Sequence, residues 1–136
     1  MFFLLELQTF RRNPLHRRPN IRAVNPGGCA LADSEHALLL KPDYADAFIN
    51  RGNQRNAKGD TDGALADYSE AIRFQPENPS AFHNRGLTCY DAGDLEGALV
   101  DYNETVHLKP NHAMAFNNRA IARHAKATWR GNRGLR

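Results

Sequence analysis

The side chains that could hold a metal or act as nucleophile and base are few and scattered. Cys29 and Cys89 each stand alone, with no Cys-x-x-Cys pair and no Cys/His cluster at ligand spacing. They read as buried free thiols of a reducing compartment. His107 and His112 flank Pro110, so a helix end falls between them and separates their rings. His36, His83 and His124 are isolated, and no G-x-S-x-G, P-loop, HExxH or GxGxxG pattern occurs. No catalytic residue, metal ligand or cofactor is assigned, and the chain is not expected to be an enzyme.

What does recur is a carboxamide beside a guanidinium. Asn50, Asn84 and Asn118 sit at one offset in INRG (49–52), HNRG (83–86) and NNRA (117–120). A carboxamide offers both donor and acceptor, so such a row can pair with successive peptide groups of an extended ligand. The same asparagines could instead cap or brace the helices that carry them, the commoner employment of Asn. Arg51, Arg85 and Arg119 repeat with Asp67 and Asp101, and Asp33 stands in the same register. A helix-to-helix ion pair is the plainer reading of these, and a ligand-gripping arginine row the other.

The elements that must position these residues follow from a 34-residue period. KPDYADAF (41–48), QPENPSAF (75–82) and KPNHAMAF (109–116) superpose, as do GALADYSEAIRFQP (63–76) and GALVDYNETVHLKP (97–110). CALADSEHALLLKP (29–42) falls on the same register. Each unit reads as two helices. Ala47, Phe48, Gly52 and Arg55 mark the first helix of one unit, and Leu65, Tyr68, Ala71 and Ile72 its second. Gly59-Asp60 and Gly93-Asp94 separate the pairs, glycine ending one helix and aspartate capping the next. Pro42, Pro76 and Pro110 close the second helices, after which Asp43, Asn78 and Asn111 are expected caps. Gly52 and Gly86 are small where helices must cross closely.

This pattern resembles the tetratricopeptide repeat. The first unit supplies Phe48, Gly52, Ala64, Tyr68, Ala71 and Pro76; the second supplies Phe82, Gly86, Ala98, Tyr102 and Pro110, with Thr105 where Ala is usual. The family's Leu before Gly is Arg51, Arg85 and Arg119, an Asn-Arg-Gly variant, and its following Tyr is Arg55, Cys89 and Arg123. The resemblance implies an all-α fold, antiparallel helix pairs stacked as a short right-handed α-solenoid. It divides the chain into an irregular basic segment (1–28), a half-repeat with the second helix only (29–42), two full units (43–76 and 77–110), a first helix only (111–127) and a basic tail (128–136).

The resemblance also implies a concave groove lined by the first helices. Its candidate ligand-binding residues are Asn50, Asn53, Asn56, His83, Asn84, Tyr90, Asn117, Asn118 and His124. The expected role is a protein-interaction scaffold for a protein or peptide partner. Family members that grip a chaperone C-terminus use Lys and Arg beside Asn. The complete units place no Lys or Arg at those positions, and Asp46 and Asp91 would repel an acidic end.

Charge divides the chain in the same way. Residues 1–28 are +4 and residues 119–136 are +6, whereas the body between them is −7, so the pI near 9.1 describes the ends. FRRNPLHRRPNIR (10–22) and HAKATWRGNRGLR (124–136) interleave arginines with Phe10 or Trp129, which leaves nucleic-acid or acidic-surface binding as an alternative. The acidic body argues against a groove that tracks a phosphate backbone. A further alternative is a fragment of a longer array, or self-association through exposed repeat ends, since each unit buries its apolar face only on neighbours. No stretch approaches the ~20 apolar residues of a membrane span. The arginines follow the apolar MFFLL run, the reverse of a secretory signal, so the expected location is cytoplasmic.

Overall fold

The computed structural model describes residues 26–134, with side chains described from Ala30 to Gly131. Six helices and no strand occur among them: α1 (Pro26–Leu40), α2 (Ala45–Ala57), α3 (Thr61–Phe74), α4 (Pro79–Asp91), α5 (Leu95–Leu108) and α6 (Ala113–Gly134). Their boundaries follow from local chemistry. Gly59 and Gly93 take φ +87°, the left-handed conformation that ends α2 and α4. Asp60 and Asp94 then accept the amides of Gly63 and Gly97 at 2.9 and 3.0 Å, capping α3 and α5. Asn78 caps α4 through the Ser80 amide.

Two expected caps are replaced by neighbours. Tyr44, not Asp43, is the N-cap of α2, and it makes no side-chain cap bond. At α6 the His112 ring accepts the Ala115 amide at 3.2 Å, taking the part expected of Asn111. The segment expected as a basic tail over 128–136 is helical as far as Gly134, where α6 ends. Ala127-Thr128 stands where Gly59-Asp60 and Gly93-Asp94 stand. Without a glycine to turn the backbone, the helix runs on. At the other end, the half-repeat expected from residue 29 begins its helix at Pro26, and segment 1–25 lies outside the described residues.

Each helix packs on its neighbours in sequence. Beyond these, the backbones of α2 and α4, and of α4 and α6, approach closely, whereas those of the intervening second helices stand further apart. The first helices therefore form the tighter, inner layer of a curved stack. Two cores fill it. Ala45, Ile49, Ala64, Tyr68, Ala71 and Ala81 form one, flanked by Phe48, Ile72 and Phe74; Cys89, Ala98, Tyr102 and Ala122 form the other, flanked by Leu65, Leu87, Tyr90 and Leu99. Tyr68 and Tyr102 are fully buried, each worth about 1.5–3 kcal/mol on the scale of large buried side chains. Their rings lie where a side chain on the facing glycine would go. A Cβ on Gly52 would approach Tyr68 Cε1 to 2.7 Å, and one on Gly86 would approach Tyr102 Cε1 to 2.9 Å.

The arginine–aspartate repeat is a bracing device. Arg51 grips Asp67 through Nε and Nη2 at 3.0 and 2.8 Å, and Arg55 adds a third bond at 3.0 Å. Arg85 holds Asp101 in the same fork at 2.9 and 2.7 Å. Both aspartates are only 2% exposed, so the fork satisfies charges that water cannot reach. The hydrogen bond to its aspartate raises the pKa of both Arg51 and Arg85.

Candidate functional site: the inner layer of first helices

Asparagines from consecutive first helices meet on the inner layer. Asn84 Nδ2 on α4 donates to Asn53 Oδ1 on α2 at 3.2 Å, and the same oxygen accepts the Tyr68 hydroxyl at 2.7 Å. One repeat further, Asn118 Nδ2 on α6 lies 3.1 Å from His83 Nε2 on α4. The amide donates in this contact when Nε2 carries no proton, as in a neutral imidazole. His83 is buried, its ring 4.7 Å from His112 and 6.1 Å from Tyr102. Burial and, secondarily, the neighbouring His112 lower its pKa, which agrees with that neutral form.

The expected site residues thus separate into two groups. Asn53 and Asn84 form one polar pair between α2 and α4, and His83 and Asn118 form a second between α4 and α6. Asn50 and Asn117 are exposed, Asn56 is half-buried, and none of these three has a side-chain bond among the described residues. Asn50 belongs to the repeating asparagine register, yet the structure links Asn84 to Asn53 instead. His124 is exposed, and its carbonyl accepts the Thr128 hydroxyl. Tyr90 faces a separate cleft of about 910 Å³, lined also by Asp94, Leu95, Lys126, Trp129 and Arg130.

Some of this is invisible to periodicity. His112 matters because its ring meets His83 across the α5–α6 turn, and no spacing rule pairs the two. The cleft exists because α6 continues past residue 126, where Lys126 forms an ion pair with Glu96 at the start of α5. The rim of the inner layer is acidic and apolar, with Asp46, Asp91 and Met114 exposed. No cluster of three or more metal-ligating residues occurs among the described residues, and no described helix is long and apolar enough to cross a membrane. Burial raises the pKa of the Cys89 thiol, away from a reactive thiolate. Cys29 lies outside the described side chains.

Stacked helix pairs, a tight inner layer and a glycine–tyrosine crossing in each complete pair define an all-α solenoid. The family comparison narrows this. Residues 52–93 match the family described as TPR repeat. Solved structures of the same fold include the first TPR of Spaghetti (RPAP3) bound to the HSP90 peptide SRMEEVD. It matches with TM-score 0.73 and 20% identity, over 82% of this chain and 89% of that one. MamA matches with TM-score 0.71 and 19% identity, over 77% of this chain and 61% of MamA. A Thermobaculum terrenum O-GlcNAc transferase mutant matches with TM-score 0.68 and 19% identity, over 71% of this chain but 18% of the transferase. At these identities the likeness is one of fold. No curated protein matches the chain by sequence.

Proposed function

We propose that this chain is a protein-interaction scaffold that holds an extended peptide along the inner layer of α2, α4 and α6. The observation that carries this reading is the run of side chains Asn53, Asn84, His83 and Asn118 across three successive first helices. Each internal bond uses one hydrogen of a carboxamide and orients the rest. Asn84 and Asn118 each keep an oxygen and a second N–H for a ligand. A side chain fixed before binding loses less entropy on binding, so the run is pre-organised for a peptide backbone. Asp46 and Asp91 favour a neutral or basic segment over one with an acidic end such as SRMEEVD.

The basic-tail alternative finds less support, because residues 124–134 are helical and Lys126 is engaged with Glu96. The test is peptide-array binding by the full chain, repeated with Asn53, Asn84 and Asn118 all changed to Ala. Binding should weaken by at least about tenfold, the loss of one or two backbone hydrogen bonds, with helicity retained. Equal loss of helicity and binding, or binding left intact, would sink the reading.

A further inference from the structure

The two ends of the stack are complementary halves of one repeat. At one end, α6 is a first helix whose own second-helix face is open. Positions that pack toward a second helix in the complete units are Phe116, Arg119, Ala120 and Arg123 here. Phe116, Ala120 and Arg123 are exposed. At the other end, α1 has the register of a second helix and packs on α2 alone. Its Asp33, the counterpart of the buried Asp67 and Asp101, is exposed and has no partner among the described residues.

Three features match across these ends. First, Arg85 uses Nη1 on Ser69 of the preceding repeat and the Nε/Nη2 edge on Asp101 of its own. Arg119 repeats only the first part: its Nη1 bonds Asn103, the counterpart of Ser69, at 3.0 Å. Its Nε/Nη2 edge has no acceptor among the described residues, and Asp33 is the carboxylate in register for it. Second, a Cβ on Gly52 or Gly86 would collide with the facing tyrosine. At the ends, Ala120 stands in the glycine's place and Ser34 in the tyrosine's. Ser34 carries no ring for a methyl group to meet, and its hydroxyl bonds the Ala30 carbonyl of its own helix. Third, Phe48 stacks on Phe74 with centroids 5.7 Å apart; the counterparts across the ends are Phe116 and Leu40, which are 41% and 76% exposed. Net charge agrees: residues 113–134 contain five Lys and Arg and no acid, and residues 26–40 contain Asp33 and Glu35 with no Lys or Arg.

From these matched edges we infer that α1 of one copy docks on the open face of α6 of another, completing a composite repeat between them. The two surfaces differ, so the contact is heterologous. It does not close on itself as a two-fold dimer does, and repetition joins copies head to tail along the solenoid. The helix that would otherwise supply this face does not turn back at residue 127, because α6 runs straight through that point.

The test is sedimentation velocity on the full chain across a concentration series. The native chain should grow in mass with concentration beyond a dimer and shrink as salt is raised. Asp33→Arg alone and Arg119→Asp alone each oppose like charges at the junction, and each should weaken association by at least about tenfold. Mixed in equal amounts, the two variants present only opposite charges to one another, and association should return. Leu40→Glu changes a side chain that is 76% exposed, so it spares the monomer fold and should also weaken association. A native chain that stays monomeric, single variants that assemble as the native chain does, or a mixture that stays apart would each overturn the inference. Peptide binding along the inner layer is read separately, since none of the three substituted residues lies in that run.

Discussion

Arg85 and Arg119 occupy one place in two successive repeats, and their surroundings differ by a single helix. Arg85 lies 5.7 Å over Phe82 and is held by Asp101 and Ser69. Arg119 lies 5.1 Å over Phe116 and is held, among the described residues, by Asn103 alone. The ring and the preceding repeat therefore aim the guanidinium before its own repeat supplies an acid. A second helix meets a fork already in position, and the planar, rigid shape of arginine makes that useful where lysine would not be. Closure of a helix pair is thus prepared by the pair before it.

Removing the acid should show the largest contrast. Asp101→Ala leaves Arg85 with only Ser69, and the expected loss is about 3 kcal/mol, the low end for a broken buried pair because the arginine can rehydrate partly. Asp33→Ala, at the same register on the exposed end, should change the stability of the dilute chain by under about 0.5 kcal/mol. Urea unfolding at low protein concentration measures both. Similar losses at the two positions would mean that the open end is already braced.

The crossing comes next. Gly86→Ala drives a methyl group into the Tyr102 ring and should cost about 1–3 kcal/mol, as overpacked cores do. The mirror change, Ala120→Gly on the open face, meets no ring and should cost only the helix propensity, ~1 kcal/mol or less. Thermal unfolding of the two variants tests whether tyrosine contact sets the glycine requirement.

Acid sharpens the comparison between the first and second repeats. Ile49 and His83 are counterparts in α2 and α4, both buried, and only one of them titrates. Above the ordinary histidine pKa of 6.5 both folded and unfolded chains hold His83 neutral, and its contribution to stability is fully present. Below 6.5 the unfolded chain takes a proton that the folded chain resists, so stability falls as pH drops toward the lowered folded value. With the Asn118 amide nitrogen facing the ring, a proton on Nε2 also opposes that contact. His83→Ile, which copies the first repeat, should flatten the stability profile below the ordinary histidine pKa of 6.5. An unchanged slope would place the acid sensitivity elsewhere.

Much of the stack was legible because the repeat encodes it locally. Gly59-Asp60 and Gly93-Asp94 announce a helix stop and start, and Pro76 and Pro110 end the second helices. The Arg51–Asp67 and Arg85–Asp101 forks follow from register alone. The site was less legible. Asn84 could have met Asn50 or Asn53, and the choice depends on how far one first helix leans on the next, a tertiary quantity that no spacing records. His112 could not be paired with His83 for the same reason. The run of α6 past residue 126 was missed because a vanished repeat reads as lost structure, whereas the absence of a glycine is a positive instruction to continue a helix.

That extension supplies the smallest and last test. Glu96 at the start of α5 pairs with Lys126, whose side chain is half-buried while that of Glu96 is exposed. An ion pair with one partner in solvent is worth about 0–1 kcal/mol, so Glu96→Ala should barely move the global unfolding midpoint. Its effect should appear locally instead. Residues beyond Lys126 belong to no repeat and touch the body at the cleft shared with Tyr90, Leu95 and Trp129. Hydrogen exchange at those amides should quicken in Glu96→Ala while amides of α4 and α5 keep their protection. Unaltered exchange would mean that the aromatic and apolar walls of the cleft hold the extension and the ion pair only decorates it. Quickening throughout α6, as far back as Ala115 and Ala122, would mean that the extension also steadies the face on which we place the next copy.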